Sequence, residues 1–344
     1  MNNILYIGSY TPNNNAGITV AEFNHQNGQL VELKTISELP DTSFLAVTKD
    51  KSYLLAVSEH DVNGELGCFD INDPKSPRFI NKQSTLGGSP CHINLSANKA
   101  FVSNYGSGNV SAFSLTENKL LPAYADVQHQ GQGGDLQRQA SAHAHASQLS
   151  VDEQFLVVAD LGIDALKVYR VSEKQLSLVF SASLPAGAGP RHLTFNMDGD
   201  KLYLGNELNS EVTVFAFNPK KGELDLLQTI SSLPNDNQTE SYIAEVTLSN
   251  DGGYLYVSNR GHDSIAIFSV DAQTGLLTVV TLTETGGLFP RHFVLSPDQN
   301  WLLVAHQNSD YLTVFKRDNC SGLLTKTDNK LAVKHAVCLC FLEG

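Results

Sequence analysis

Arginine and histidine recur in short polar segments that adjoin apolar runs. The segments that precede such runs are Pro90-Cys-His92, His143-Ala-His145, Pro190-Arg191-His192 and Pro290-Arg291-His292. Those that follow such runs are Asn104-Tyr105, Asp160, Asn206-Glu207, Asn259-Arg260 and His306-Gln307. Converging guanidinium groups bind carboxylate or phosphate through paired hydrogen bonds, and imidazole transfers protons near neutral pH. These residue types predict a site that binds a small organic anion and moves a proton.

The charge of the whole chain makes this local concentration of cations informative. The 344 residues carry 23 Lys and Arg against 36 Asp and Glu, a net charge of −13. Arg191, Arg260 and Arg291 are three of only seven arginines. An acidic chain lacks the basic stripes that contact nucleic-acid phosphates, and its composition is too polar for membrane spans. We therefore expect a small anionic substrate and neither a nucleic-acid nor a membrane partner.

Several catalytic chemistries can be compared on these residues. Glu207, lying among cations, could pair with a neighbouring arginine or act as a general base, and His143 is the alternative proton carrier. His143 and His145 would face one side of a strand, and His92 could converge with them, but no third metal ligand with suitable spacing is evident. The five cysteines contain no C-x-x-C pair, and no G-x-S-x-G elbow is present. We expect no metal and no cofactor, and nothing supports a nucleophilic Ser or Cys.

An internal repeat provides the elements that would position these residues. One unit recurs: an apolar strand, a Ser-x-Asp-like turn, a second strand ending in a polar residue, and a third, alternating strand ending in Phe or Tyr. The turns lie roughly 50 residues apart, at Asp50, Asn98, Asp152, Asp198, Asp251 and Asp298. Four short strands in a unit of this length are typical of a β-propeller blade.

The two chain ends supply a seventh unit in two pieces. Residues 337–342 have the pattern of a first strand without its continuation, and residues 4–9 that of a second strand without its predecessor. We predict an all-β, seven-bladed β-propeller of four-stranded antiparallel blades, with the N- and C-terminal strands closing the ring in one blade. Residues 1–344 would form a single domain with an insertion at about 122–142, either a disordered loop or a lid. A closed ring has no free sheet edges, so we expect a monomer.

Blade geometry should gather the polar segments at one opening. The first and second strands of a blade are antiparallel, so residues before the first strand and after the second emerge on the same face, near the axis. His143, Arg191, Glu207 and Arg260 would share this mouth. The accompanying substrate-binding residues would be His92, Asn104, His145, His192, Arg291 and His306.

Several motifs resemble the seven-bladed lactonase family over essentially the whole chain. They are Gly88-Ser-Pro-Cys-His92, Ser103-Asn-Tyr-Gly-Ser-Gly-Asn-Val110, His143-Ala-His145, Gly187-Ala-Gly-Pro-Arg-His192, Asn206-Glu-Leu-Asn-Ser210 and Ser258-Asn-Arg260. The family contains the cycloisomerase-2-type 6-phosphogluconolactonases and the fungal 3-carboxy-cis,cis-muconate lactonizing enzymes. The resemblance implies that His143, Arg191, Glu207 and Arg260 are catalytic. The segment Lys334-His-Ala-Val337 departs from the family, whose bacterial lactonases often carry proline before the closing strand.

The resemblance implies hydrolysis of a sugar-acid lactone, 6-phosphogluconolactone to 6-phosphogluconate, in the pentose phosphate pathway. Arginines would hold the anion and stabilise the oxyanion, while Glu207 or His143 deprotonates water. One alternative keeps the site and lactonizes a muconate-type diacid; another is a non-catalytic propeller that binds a protein or an anionic metabolite. Calcium-dependent gluconolactonases are disfavoured because guanidinium groups would repel a dication. The first residues lack a signal-peptide pattern, so we expect a cytoplasmic enzyme.

Overall fold

The fold is built almost entirely from short strands. The computed structural model describes residues 2–11, 17–116 and 119–343. In chain order the strands are Asn2–Ser9 (β1), Ile18–Asn24 (β2), Leu30–Ile36 (β3), Leu45–Val47 (β4), Tyr53–Ser58 (β5), Glu65–Asp70 (β6), Arg78–Ser84 (β7), Pro90–Leu95 (β8), Lys99–Asn104 (β9), Asn109–Thr116 (β10), Lys119–Leu120 (β11), Ala125–Gln128 (β12), Ala144–Leu149 (β13), Phe155–Asp160 (β14), Ala165–Val171 (β15), Leu176–Ser183 (β16), Pro190–Phe195 (β17), Lys201–Asn206 (β18), Glu211–Asn218 (β19), Glu223–Ser231 (β20), Tyr242–Leu248 (β21), Tyr254–Arg260 (β22), Ser264–Val270 (β23), Leu277–Glu284 (β24), Pro290–Leu295 (β25), Trp301–His306 (β26), Leu312–Arg317 (β27), Leu324–Leu331 (β28) and Ala336–Phe341 (β29). Leu161–Ile163 forms a short 3-10 helix. Across these three ranges no helix is long and apolar enough to cross a membrane.

Within the described residues the strands form seven antiparallel sheets. Six of them follow the chain: β4 to β7, β8 to β12, β13 to β16, β17 to β20, β21 to β24, and β25 to β28. The seventh places β29 beside β1, followed by β2 and β3. The predicted seven-bladed propeller, closed by strands from both chain ends, is confirmed. We number the blades 1 to 7, starting with the composite blade.

Ring closure depends on the pairing of β29 with β1 and on packing to both sides. Leu5 lies opposite Phe341 and Ile7 opposite Leu339. Leu339 is buried with Trp301 of blade 7, whereas Cys338 is buried in the cluster of blade 2. The composite blade therefore covers the apolar faces of both neighbours, and the segment before β29 does not prevent closure.

The middle strands are buried on both faces because each blade is stacked between two others. All six residues of β14 and all six of β26 are buried, which explains their continuous apolar sequences. The outermost strands β20 and β28 consist mainly of exposed and partly buried residues. Apolar content thus falls from the axis to the rim.

The Ser-x-Asp turn between the first and second strands has a specific hydrogen-bond pattern. The Ser296 hydroxyl donates to Asp298 Oδ1 at 2.5 Å and accepts from Trp301 N–H at 3.0 Å. Ser150 with Asp152 and Phe155 repeats this arrangement in blade 4. The hydroxyl therefore fixes the first residue of the second strand, which is why the motif marks the repeat.

A glycine turn between the third and fourth strands also touches the preceding blade. Gly222 has φ of +74°, and a Cβ atom there would lie 2.6 Å from the ring of Phe155. Gly28 repeats this position with φ of +72°, against the ring of Trp301. Glycine is required by both the backbone conformation and the packing.

The predicted insertion at 122–142 contains a regular strand. Residues 125–128 form β12, which pairs with β10 as the outer strand of blade 3. Ala125 and Val127 pack against the core between blades 3 and 4, so this part of the segment is an ordinary blade strand. The additional chain is thus confined to about 129–142.

Removing a buried side chain from the closing strand should destabilise the whole ring. We expect Leu339→Ala, at a side chain 2% exposed, to lower the free energy of unfolding by about 2–5 kcal/mol through the cavity it leaves. The control Leu323→Ala, at a side chain 43% exposed, should change it by less than about 0.5 kcal/mol. Urea denaturation measures both, and equal effects would contradict the role assigned to β29.

Candidate active site

Two kinds of strand position face the axis on one side of the ring, the first in blades 3 to 7 and the second in all seven blades. The first lies in a β-bulge of the innermost strand, where the register shifts at Cys91, His145, Arg191, Ala244 and Arg291. The second lies at or just after the end of the next strand, at Tyr10, Glu59, Tyr105, Leu161, Glu207, Arg260 and Gln307. The motifs expected to precede the first strands mostly lie within them, because the bulge lets the strand begin earlier while still turning a side chain inward.

These positions line a cavity of about 270 Å³ at the axis. Its walls are Tyr10, Glu59, Cys91, Tyr105, Arg138, His145, Glu207, Arg260 and Arg291. All seven blades contribute, together with the segment before β13. Burial raises the pKa of the Cys91 thiol, so this cysteine is not poised as a nucleophile.

Glu207 is the counter-ion of three arginines. Its Oε1 lies 2.5 Å from Arg138 Nη2, and its Oε2 lies 2.9 Å from Arg191 Nε and 2.8 Å from Arg260 Nη2. Burial alone would raise the pKa of Glu207, but the three guanidinium groups outweigh it and lower that pKa to about 2. A carboxylate so strongly stabilised in its ionised form is a weak proton acceptor.

Arg191 joins blade 5 to blade 6 through Ala244, and Arg260 joins blade 6 to blade 5 through Glu207. Arg191 Nη1 donates to Ala244 O at 2.7 Å, and Arg260 Nη2 donates to Ile243 O at 3.1 Å. Both side chains are almost fully buried, and burial lowers the pKa of each, that of Arg191 to about 9. Their charges are therefore retained by contact with Glu207.

Arg291 has a different environment from the other cavity arginines. In the described part of the chain it forms no ion pair; it donates to Gln307 Oε1 at 3.3 Å and lies 5.4 Å from the centre of the Tyr10 ring. The Tyr10 hydroxyl donates in turn to Glu59 Oε2 at 2.9 Å. Among the described residues, Arg291 is thus the cavity arginine whose guanidinium group is not paired with a carboxylate.

His143 stands beside the cavity. Its ring stacks on Tyr105 at 4.5 Å, and its Nδ1 lies 2.8 Å from Tyr105 O. Among the described residues Tyr105 lines the cavity and His143 does not. The Tyr105 carbonyl can only accept, so Nδ1 carries the proton and Nε2 is the basic nitrogen.

Arg138 is delivered by residues 129–142, which are held firmly against the ring. His129 Nδ1 lies 2.6 Å from Asp160 Oδ2, and Gln139 Nε2 donates to Leu161 O at 2.7 Å and Asp164 Oδ1 at 2.6 Å. Arg138 itself keeps 37% of its side chain exposed while it pairs with Glu207. The segment therefore adds a fourth arginine to the site.

A cluster of neutral histidines fills the axis next to the cavity. His192 Nδ1 and His292 Nε2 lie 2.9 and 3.1 Å from Glu245 Oε2. The rings of His92 and His145 pack 5.3 and 5.4 Å from that of His192. Of the three histidines in this cluster that were predicted to bind substrate, His92, His145 and His192, only His145 lines the cavity. The other two pack behind it, together with His292.

Asn104 and His306 were predicted to bind substrate, but their side chains point into the blades. Asn104 Nδ2 donates to Thr85 O at 3.1 Å, and His306 Nε2 lies 2.9 Å from Thr313 Oγ1. Asn206 and Asn259 make related contacts at the same repeat position. This position ties the second strand to its neighbours, and the next residue along the chain faces the cavity.

Sequence reasoning missed Tyr10, Glu59, Arg138 and Glu245 as members of the site and its support. Tyr10 and Glu59 come directly after Ser9 and Ser58, the last residues of β1 and β5. Glu207 has the same position in blade 5, directly after Asn206, the last residue of β18. Aligning blades 1 and 2 with the others would have found both. Arg138 lies outside the repeat, so no such signal exists for it.

Comparison with known proteins gives a consistent result. The family described as "Lactonase, 7-bladed beta-propeller" matches residues 4–341, which confirms the resemblance. The chain is 33% identical over 295 residues to a Bacillus subtilis 6-phosphogluconolactonase, covering 85% of this chain and 84% of that protein. A periplasmic gluconolactonase from Pseudomonas aeruginosa superposes with a TM-score of 0.93 at 33% identity, covering 99% of both chains. A Bacteroides fragilis protein provisionally described as a 6-phosphogluconolactonase gives a TM-score of 0.93 at 31% identity over 99% of this chain and 98% of that one.

Removing the charge of Glu207 should destabilise the site. We expect Glu207→Gln to lower the free energy of unfolding by about 3–5 kcal/mol, because buried guanidinium groups lose their counter-ion. Glu223→Gln breaks an exposed pair with Lys221 and should cost less than about 1 kcal/mol. Chemical denaturation compares the two, and a Glu207 variant as stable as the control would contradict the assigned ion cluster.

Acid should unfold the protein through its buried histidines. Burial lowers the pKa of His92, His145 and His192 well below 6.5, and that of His292 and His306 to about 4. The unfolded chain binds protons at these rings near pH 6.5 whereas the folded chain does not, so stability falls as pH decreases from about 6.5 towards 4. Each histidine contributes up to about 1.4 kcal/mol per pH unit. Unfolding free energies at pH 7.5, 6 and 5 measure this, and a flat profile would contradict it.

His306→Asn is the matched control for this pH dependence. Asn104, Asn206 and Asn259 occupy the same repeat position in other blades, so asparagine should be tolerated there. The variant should take up about one proton fewer on unfolding between pH 6 and 5. An unchanged slope would mean that His306 does not contribute.

Proposed function

The chain belongs to the seven-bladed β-propeller lactonase family, and from that premise we propose that it hydrolyses 6-phosphogluconolactone to 6-phosphogluconate. The observation that carries this proposal is the cavity of about 270 Å³ with Arg138, Arg260 and Arg291 in its walls, in a chain of net charge −13. A cavity of this size suits a small molecule and not a polymer. The B. subtilis relative carries the name of the same activity.

The charges around the cavity support a doubly charged substrate. Arg138, Arg191, Arg260 and Arg291 bring four positive charges, and Glu59 and Glu207 bring two negative ones. An excess of two positive charges in a partly dehydrated pocket attracts a phosphate ester more strongly than a neutral sugar.

We assign the arginines different roles in this reaction. Arg291, with no carboxylate partner within ion-pair distance in the described chain, would bind the negative charge of the substrate or of the oxyanion. Glu207 would hold Arg138 and Arg260 in place through its ion pairs, and Arg191 would support Glu207 from blade 5. His143 would act through Tyr105, on which it stacks.

Two further expectations stay predictions. The cytoplasmic location is one, and the P. aeruginosa relative is periplasmic. The monomeric state is the other.

Lactone opening by the purified protein, measured above the spontaneous rate, tests the function, and Arg291→Ala tests the site. We expect this variant to lower kcat/KM for 6-phosphogluconolactone by about 100-fold or more, the usual effect of losing one charged donor. Arg78→Ala is the control, because Arg78 lies exposed on the outer strand of blade 2 with Asp70.

The outcome of these assays is decisive for the substrate. If wild-type protein leaves lactone opening at its spontaneous rate, the proposed function is wrong. Consumption of a muconate diacid by that same protein would assign the site to lactonization instead. A wild-type kcat/KM in Arg291→Ala would show that Arg291 does not take part in the reaction.

A further inference from the structure

The cavity contains two glutamates with opposite environments. Glu207 has both carboxylate oxygens on arginines. Glu59 forms no ion pair and a single side-chain hydrogen bond, from Tyr10, within the described ranges. One of its oxygens, Oε1, is therefore available to a ligand or a water molecule in the cavity.

Glu59 is held in place by three blades. It follows β5 directly, and its N–H donates to Asp41 O at 2.9 Å. Tyr10, which donates to Glu59 Oε2 at 2.9 Å, is itself tied to blade 1 by a hydrogen bond from its N–H to His335 O at 3.1 Å. The Tyr10 ring also lies beneath Arg291 of blade 7 at 5.4 Å. The carboxylate is therefore oriented beside a guanidinium group without being paired to it.

In the hydrogen bond between Tyr10 and Glu59, the phenol is the donor and the carboxylate is the acceptor. Burial raises the pKa of the Tyr10 phenol, so its hydroxyl keeps its proton and donates to Glu59. The remaining charged and titratable groups that face this pair across the cavity are Arg138, Arg260, Arg291, Glu207, His145, Cys91 and Tyr105. Burial raises the pKa of the Tyr105 phenol, so it keeps its proton. Burial lowers the pKa of His145 and raises that of Cys91, so both are neutral at pH 7. Glu59 is then the cavity carboxylate with a free oxygen for accepting a proton.

We propose that Glu59 is the general base that activates water for lactone opening, with Tyr10 as its positioning residue. This inference rests on the proposed function and replaces Glu207 and His143 in the role of base. It also gives Arg291 a place in the reaction, because the guanidinium group beside Glu59 stabilises the negative charge that develops as water attacks.

The reaction balances with water as the only co-reactant. Glu59 Oε1 takes a proton from water as the water oxygen bonds to the lactone carbonyl carbon, and the carbonyl π electrons move to its oxygen. The tetrahedral intermediate then re-forms the C=O bond and breaks the bond to the ring oxygen, which takes the proton from Glu59. The products are the open-chain acid with a free hydroxyl and the regenerated carboxylate.

Glu59→Gln tests the base directly. Glutamine has nearly the same shape and can still accept from Tyr10, so folding and KM should change little, while kcat should fall by about 10²- to 10⁴-fold. The control Glu65→Gln, on β6 of the same blade and paired with Lys82 near the surface, should keep the wild-type rate. Thermal unfolding of both variants checks that the fold is intact.

Tyr10→Phe tests the positioning role of Tyr10 through the pH profile of kcat, which would not change if Tyr10 had a purely structural role. Without the phenol the ionised carboxylate is less stabilised, so the acidic limb of the pH profile of kcat should shift to higher pH. The reduction of kcat should be smaller than in Glu59→Gln.

The outcomes separate this inference from the proposed function. If the wild type opens the lactone and Glu59→Gln keeps its rate within about two-fold, Glu59 is not the base and the lactonase function stands. An unshifted pH profile in Tyr10→Phe would likewise overturn the positioning role. If the wild type does not accelerate lactone opening, both proposals are wrong.

Discussion

Closure of the ring is the constraint on which the rest of the structure depends. Each blade has two apolar faces and can bury both only between two neighbours, so a gap would expose a core surface on each side. The pairing of β1 with β29 removes that gap. It also sets the distance of every innermost strand from the axis. The bulges of the inner strands and the ends of the next strands face one small volume, and the cavity is lined by residues of all seven blades.

On the face that carries the cavity, burial determines which ionisable groups are charged. Arg191 and Arg260 would be costly to bury alone, and Glu207 offsets that cost through close ion pairs. The histidines packed behind the cavity stay neutral, so they fill the axis without adding positive charge. The excess charge of the cavity therefore comes from arginines, which keep their protons at neutral pH. The excess positive charge of the cavity is therefore independent of small changes in pH.

The propeller could be predicted from sequence because its markers are local. The Ser-x-Asp turn is made by residues within five positions of one another, and the glycine turns need a positive φ at one residue. The bounds of the insertion were predicted less accurately, because β12 is short and its alternation of apolar and polar residues lies within a polar segment. Arg138 could not have been placed at all, because its position depends on contacts of Gln139 and His129 with the next blade.

By itself the sequence determined the repeat, the number of blades, the closing strand and the face on which the arginines gather. Those properties follow from periodic patterns and from the antiparallel order of strands. Only the tertiary structure decided which of two adjacent residues enters the cavity. Asn104 and His306 turn into the blade whereas Tyr105 and Glu207 turn to the axis, because successive residues at a strand end point in opposite directions. The different environments of Glu207 and Glu59 were also decided there, since the environment of a carboxylate depends on arginines that are distant in sequence and adjacent only in the closed ring.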